Sequence, residues 1–230
     1  MKRKALQEER EEWRRREFRR RILQAAERVI VRKGYGAMTM DDVAREAQFS
    51  KATLYCYFRS KGGLLLEILG HFFEEMDLEV SRINRLRLSA GEKLKRAILF
   101  YLRFTEEKEN ISRMLMVDRS FMEKMNVFVS PESKITSEAD RRFITKVKAK
   151  RKDILDGMSR TLEEGIASGE FRKMDVAATV SCLESLLQGY SHVRLWPGRR
   201  YSAKEGAEII QEFLLHGIGK KEGTSKGASR

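Results

Sequence analysis

TMDDVAREAQFSKATLYCYFRSK, Thr39 to Lys61, holds two short helix patterns separated by a polar break. In the first, Met40 to Ala47, Val43 and Ala47 stand four apart and share one buried face. Gln48, Phe49 and Ser50 interrupt it. In the second, Lys51 to Phe58, Leu54 and Phe58 again stand four apart, and polar and aromatic residues fill the outer side. Two short helices around a tight turn, the second with an outward polar and aromatic face, is the layout of a helix-turn-helix DNA reader.

Outward from that stretch, the local chemistry agrees. Thr39 fits the N-cap of the first helix, with Asp42 three residues on, and Ser50 fits the N-cap of the second. Upstream, Ile22, Ala26, Val29 and Ile30 form one apolar stripe, so a helix is expected from about Arg19 to Lys33. Gly34, with Gly36 beyond, is expected to end it as a left-handed cap. Residues 1–18 are a charged extension in which Glu11/Arg15, Glu12/Arg16 and Glu17/Arg21 have the i,i+4 spacing that supports an exposed helix. Two readings of this extension stay open. It is a solvated charged face, or it is a basic arm whose Arg14, Arg15, Arg16, Arg19, Arg20 and Arg21 approach phosphates or the minor groove.

The bulk numbers point the same way. The 230 residues are 41% hydrophobic and 35% charged with only two prolines, which favours long helices. The net charge of +13 implies an anionic partner. Residues 1–61 hold 17 basic and 9 acidic residues, a net of +8, so most of that charge travels with the two short helices. Cys56 and Cys182 are isolated, which suits a reducing cytoplasm and argues against a disulfide framework or a zinc site. No apolar h-region follows the N-terminus and no apolar run approaches the ~20 residues that span a bilayer, so no membrane partner is expected.

Downstream, apolar stripes predict helices over about 63–80 (Leu65, Ile68, Leu69, Phe72, Met76), 92–107, 111–125, 138–167, 175–195 and 203–217. A loop is expected over 126–135, with Gly165 and Ser168–Gly169 ending the long helix. Residues 220–230, rich in Gly, Ser and Lys, are expected to be disordered. The fold class is therefore all-α, with about nine helices.

Residues 19–69 resemble the DNA-binding domain of the TetR family of bacterial transcriptional regulators. The residues that carry the resemblance are Gly34–Tyr35–Gly36, Thr39 to Ala44, Ser50 to Tyr55, Tyr57–Phe58 and Ser60–Lys61. Three departures from the family pattern stand out. Gln48 stands where a turn glycine is usual, and Cys56 replaces a residue more often His, Tyr or Arg. Gly62–Gly63 replaces an acidic pair, which predicts a soft start to the following helix.

The resemblance implies a division into an extension (1–18), a helix-turn-helix head (19–62), a helical ligand-binding and dimerisation domain (63–219) and a tail (220–230). It also implies double-stranded DNA as partner, a homodimer through the last two helices, and a small-molecule effector of unknown identity. For DNA, Thr39, Ser50, Lys51, Ala52, Thr53, Tyr55, Tyr57 and Lys61 are the candidates. Lys51 and Lys61 suit phosphates, Tyr55 and Tyr57 suit phosphates and sugars, and Thr53 and Ala52 suit base edges. The competing reading is that one tyrosine packs against the first helix. For the effector, Tyr101, Phe104, Met114, Met122, Phe128, Val147, Arg151, Met158 and Leu183 are the candidates. An apolar and methionine stripe is also what a core looks like, and Arg151 could equally pair with an acid.

The expected function is a sequence-specific transcriptional regulator: a homodimeric repressor released from a palindromic operator by a small apolar ligand. The alternative is a basic helical module that docks to acidic membrane or protein surfaces. No glycine-rich phosphate loop, metal spacing or nucleophile–base pair supports an enzyme, and no cofactor is expected.

Overall fold

The computed structural model describes residues 2–117, 138–194 and 201–218, in nine helices. They are α1 (Lys2–Ala37), α2 (Met40–Ala47), α3 (Lys51–Tyr57), α4 (Lys61–Asn84) and α5 (Ala90–Glu107), then α6 (Glu109–Val117), α7 (Glu138–Ala167), α8 (Val176–Arg194) and α9 (Ala203–Ile218). The architecture is all-α. The expected loop over 126–135, the second half of the 111–125 helix and the tail lie outside the described residues.

The chain divides into two compact units. One comprises Met1–Glu74 with Lys108–Ala149, the other Glu75–Glu107 with Lys150–Arg230. In the first, α1 packs on α2 and α6, and α2 packs on α3. Ile22, Ala26 and Val29 of α1, Val43 of α2 and Leu54 of α3 are fully buried. These are the positions the apolar spacing selected, and their burial stabilises helices too short to persist alone.

The charged extension is helical, as its i,i+4 pairs predict, and it runs without a break into the first helix, so α1 begins at Lys2. Residues 2–17 are almost all strong helix formers, and adding residues to an existing helix avoids the cost of nucleating one. Glu17 pairs there with Arg20, three residues on, because Arg21 is drawn to the Ala47 carbonyl and the Phe49 ring. Gly34 does interrupt the helix, but at φ 77°, ψ 157°, the extended glycine-only region and not the left-handed helical one. Helix α4 starts at Lys61, two residues before Gly63, because Ser60 caps it: the Gly63 N–H donates to Ser60 Oγ at 3.0 Å.

In the second unit, α5 packs on α8 and α9. Leu94, Ile98 and Leu102 meet Leu183, Leu187, Ala207 and Ile210 in one apolar cluster. The starts of α5, α8 and α9 are capped. Glu170 accepts from the Gly91 N–H at 3.0 Å and from Ser89 Oγ at 3.1 Å at the start of α5. Asp175 accepts from the Ala178 N–H at 3.0 Å, and Ser202 and Glu205 form a reciprocal box before α9. Buried Lys93 is compensated by Glu164 at 2.6 Å. Gly165 lies inside the last turn of α7 with the Phe171 ring where a Cβ would stand, so it serves packing, and Gly169 at φ 76° makes the turn that follows.

Candidate nucleic-acid interface and effector cavity

The reading head is built from its caps. The Asp42 N–H donates to Thr39 Oγ1 at 3.1 Å, and the Thr39 N–H returns to Asp42 Oδ2 at 3.1 Å. Lys33 Nζ donates to Asp42 Oδ1 at 2.7 Å. That ammonium first, and Thr39 second, hold the Asp42 carboxyl far below the usual carboxylate range. At the turn, Gln48 adopts φ 59°, ψ 40°, the left-handed conformation its neighbours impose. The Phe49 N–H closes the turn on the Ala44 carbonyl at 2.9 Å. Ser50 Oγ then accepts from the Thr53 N–H at 3.0 Å and starts α3.

The eight residues expected at DNA fall into distinct settings. Lys51, Ala52 and Tyr55 are exposed on α3. Lys51 is drawn to Asp41 at 2.8 Å, which raises its pKa. Thr39 and Ser50 are exposed caps, and the Thr53 hydroxyl lies 2.8 Å from Ser50 Oγ. Tyr57 is half-buried, its ring edge-on to Phe18 at 6.1 Å. Lys61 Nζ donates to the Gly36 carbonyl at 2.9 Å and lies 4.4 Å from the Tyr35 ring centre. Exposed Cys56 shares the outer side of α3.

Arg19, expected in the basic arm, is a structural residue. Its guanidinium is paired with Glu67, donates to the Tyr57 carbonyl at 3.3 Å and covers the Phe58 ring at 4.7 Å. It ties α1 to the end of α3 and the start of α4. An arginine run reads as solvated charge, and nothing in its spacing singles out the member with partners 38 and 48 residues away.

The second unit holds a narrow cavity of about 30 Å³, roughly the room of one water. It lies between Met76 and Val80 of α4, Ile98 and Tyr101 of α5, Ile154 and Met158 of α7, and Leu183 and Leu187 of α8. Tyr101, Met158 and Leu183, all expected at an effector, line it. Phe104 is buried beside Phe100 at 5.4 Å and does not line it. Met114 is buried on α6 and Val147 half-buried on α7, both in the first unit. Arg151 is exposed and pairs with Glu184 at 2.6 Å. Met122 and Phe128 lie outside the described residues. Spacing alone does not mark Met76, Val80, Ile154 and Leu187 as cavity residues, because an apolar stripe looks the same whether it meets a void or a neighbour.

The cavity has one polar edge. Burial first, then the nearby Glu184 charge, push the Tyr101 hydroxyl up to about 12, partly offset by a hydrogen bond with Ser191. Thr105 Oγ1 lies 3.3 Å from Ser191 Oγ. Among the described residues no three His, Cys, Asp or Glu side chains gather as metal ligands, and no helix is long and apolar enough to cross a membrane.

Residues 22–68 match the family described as "Bacterial regulatory proteins, tetR family". The HTH-type transcriptional regulator YhgD of Bacillus subtilis (strain 168) is 26% identical over 158 residues, 69% of this chain and 74% of that protein. The fatty acid metabolism regulator protein of the same organism is 23% identical over 205 residues, 87% of this chain and 95% of that one. Among solved structures, the transcriptional regulator FadR from Bacillus subtilis in complex with stearoyl-CoA superposes with a TM-score of 0.69 at 20% identity, covering 86% of this chain and 98% of that one. Residues 22–68 thus match the helix-turn-helix head of TetR-family bacterial regulators, and the chain shares the all-helical fold of the solved regulator it superposes on.

Proposed function

We propose that this protein is a homodimeric repressor that reads a palindromic operator and releases it when an apolar ligand, of the long acyl-chain class, enters the second unit. The observation that carries the DNA reading is α3 itself. It is capped by Ser50 and anchored by buried Leu54, with Lys51, Ala52 and Tyr55 turned outward. Seven residues contact few base pairs, so specificity requires two heads about one helical turn apart. Exposed Ile209 and Phe213 stand four apart on α9, and a face of α8 carries exposed Ala178, Ser181, Cys182, Ser185 and Gly189. An apolar ridge on one helix and a small-residue face on the other each suit close pairing with a second copy. We assign DNA reading to residues 19–62 and ligand binding and dimerisation to 63–219.

The apolar cavity lining, the fatty-acid regulator among the relatives and the stearoyl-CoA complex among the structural neighbours support an acyl ligand. At its present volume the cavity has to widen to admit one, parting Met76 and Val80 from Ile154 and Met158. An occupied cavity then favours a head spacing that does not fit successive major grooves. The test is selection of duplexes from a random pool at about 150 mM salt, where non-specific phosphate binding is weakened. Enrichment of a palindrome, lost on adding stearoyl-CoA, is expected. A pool with no sequence preference refutes the DNA reading, and enrichment indifferent to acyl-CoA refutes the ligand.

A further inference from the structure

We propose that the N-terminal part of α1 is a phosphate-binding rail that extends the DNA contact beyond the reading head, with Arg14 and Arg15 as its binding residues. The inference rests on the DNA reading above and adds a site to it.

Three observations carry it. First, the extension is helix from Lys2 onward, continuous with the packed part of α1 up to Gly34. At 1.5 Å per residue, residues 2–17 reach about 24 Å beyond Phe18. A helix about 10–12 Å across cannot enter a minor groove about 6 Å wide. The helix itself therefore stays outside the groove, and the sugar–phosphate backbone is the surface its side chains meet first.

Second, the extension leaves the head beside α3. Phe18 packs on Phe49, just before α3, at 4.9 Å, and on Tyr57, its last residue, at 6.1 Å. Arg19 fastens the same turn to the Tyr57 carbonyl and to Glu67. Arg14 and Arg15, four and three residues before Phe18, lie on the Phe18 side of the helix. They stand one turn further out along the side that meets α3.

Third, the arginines nearer the head are occupied and these two are exposed. Arg19 holds Glu67, Arg20 holds Glu17, and Arg21 reaches the Ala47 carbonyl. Arg14, Arg15 and Arg16 are exposed, and none of the ion pairs formed among the described residues involves them. Arg16 points away from the Phe18 side. Glu11 shares that side a turn beyond Arg14, so the attraction to phosphate is concentrated at the two arginines next to the head. Leu6 and Trp13 are exposed on the opposite side of the helix. That leaves an anionic lipid surface as the outcome to be tested against.

The test is the salt dependence of binding to a random-sequence duplex, with the full chain and with Arg14→Gln/Arg15→Gln. Each lost phosphate contact lowers the slope of log K against log salt by about 0.9, so the double variant should lose about 2 per chain. Arg14→Lys/Arg15→Lys should keep the slope, and Arg16→Gln should leave it unchanged. Circular dichroism checks that helix content is retained, which glutamine favours. An unchanged slope in the double Gln variant overturns the rail, as does an equal loss in Arg16→Gln. So does loss of binding to phosphatidylglycerol vesicles with the DNA slope intact. Failure of the reading head would show separately, as absence of operator preference in the unmodified chain.

Discussion

Lys61 reaches back from the first residue of α4 to the Gly36 carbonyl, 2.9 Å away, with its ammonium 4.4 Å from the Tyr35 ring centre. A residue whose sequence position suggests a phosphate contact thus also braces the end of α1. A charged hydrogen bond and a cation–π contact at a half-buried site together are worth about 1–2 kcal/mol. Lys61→Met should therefore lower stability by about that much in urea titration as well as weaken DNA binding. Lys51→Met should weaken DNA binding with little loss of stability, since its pair with Asp41 is exposed and solvent-screened. Equal stability of the two variants would show that the Lys61 brace is idle.

Gln48 carries the strain of a left-handed residue with a side chain, at φ 59°. The left-handed conformation costs a residue with a Cβ roughly 1–2 kcal/mol, partly matched by the entropy glycine loses on folding. Gln48→Gly should raise the urea midpoint by the equivalent of about 0.5–1 kcal/mol. A destabilised variant would mean that the Gln48 side chain contributes more than the strain removes.

The Asp42 carboxyl, depressed by Lys33 and Thr39, makes the head sensitive to acid. Its ordinary value is 3.8 and its folded value lies below that. The folded state thus favours the carboxylate. The stabilisation is complete above the ordinary value and is lost as pH falls through the folded one. The stability difference between the protein and Asp42→Asn should be flat from about pH 8 to 5 and shrink below about pH 4. A difference that instead grew on acidification would refute the assignment.

Gly62 and Gly63 occupy the first turn of α4, where an added Cβ meets nothing nearer than Ser60 Oγ, at 3.8 Å and 3.5 Å. Alanine fits at both positions, and each replacement should stabilise by up to about 1 kcal/mol. Hydrogen exchange should be faster at 61–66 than in mid-α4, and the double alanine variant should remove the difference. Protection already equal in the unmodified protein would show that this start is not soft.

Phe213 is 70% exposed and Ile209 52% exposed, in a protein whose other large apolar side chains are mostly buried. Phe213→Asp should convert the proposed dimer to a monomer in sedimentation without loss of helix content. Operator binding should fall at least tenfold, because one head alone lacks its partner. A variant that stays dimeric would move the interface elsewhere.

What the sequence by itself determined is what near neighbours along the chain decide. The caps at Thr39/Asp42 and Ser50, the apolar stripes of α1 to α5 and the punctuation at Gly169 involve residues within a few positions of one another. Their patterns are legible because hydrogen-bond reach and helical period are local. The strained position at Gln48 was legible only through the family resemblance, which puts a glycine at that turn. Only the tertiary structure decided which arginine of the N-terminal run clasps Glu67, that Arg151 pairs with Glu184, and that Met76 and Val80 face a void while Phe104 does not. These relationships join residues tens of positions apart. Charge and apolarity state that a side chain needs a partner, but only the packing of helices in space chooses which one it meets.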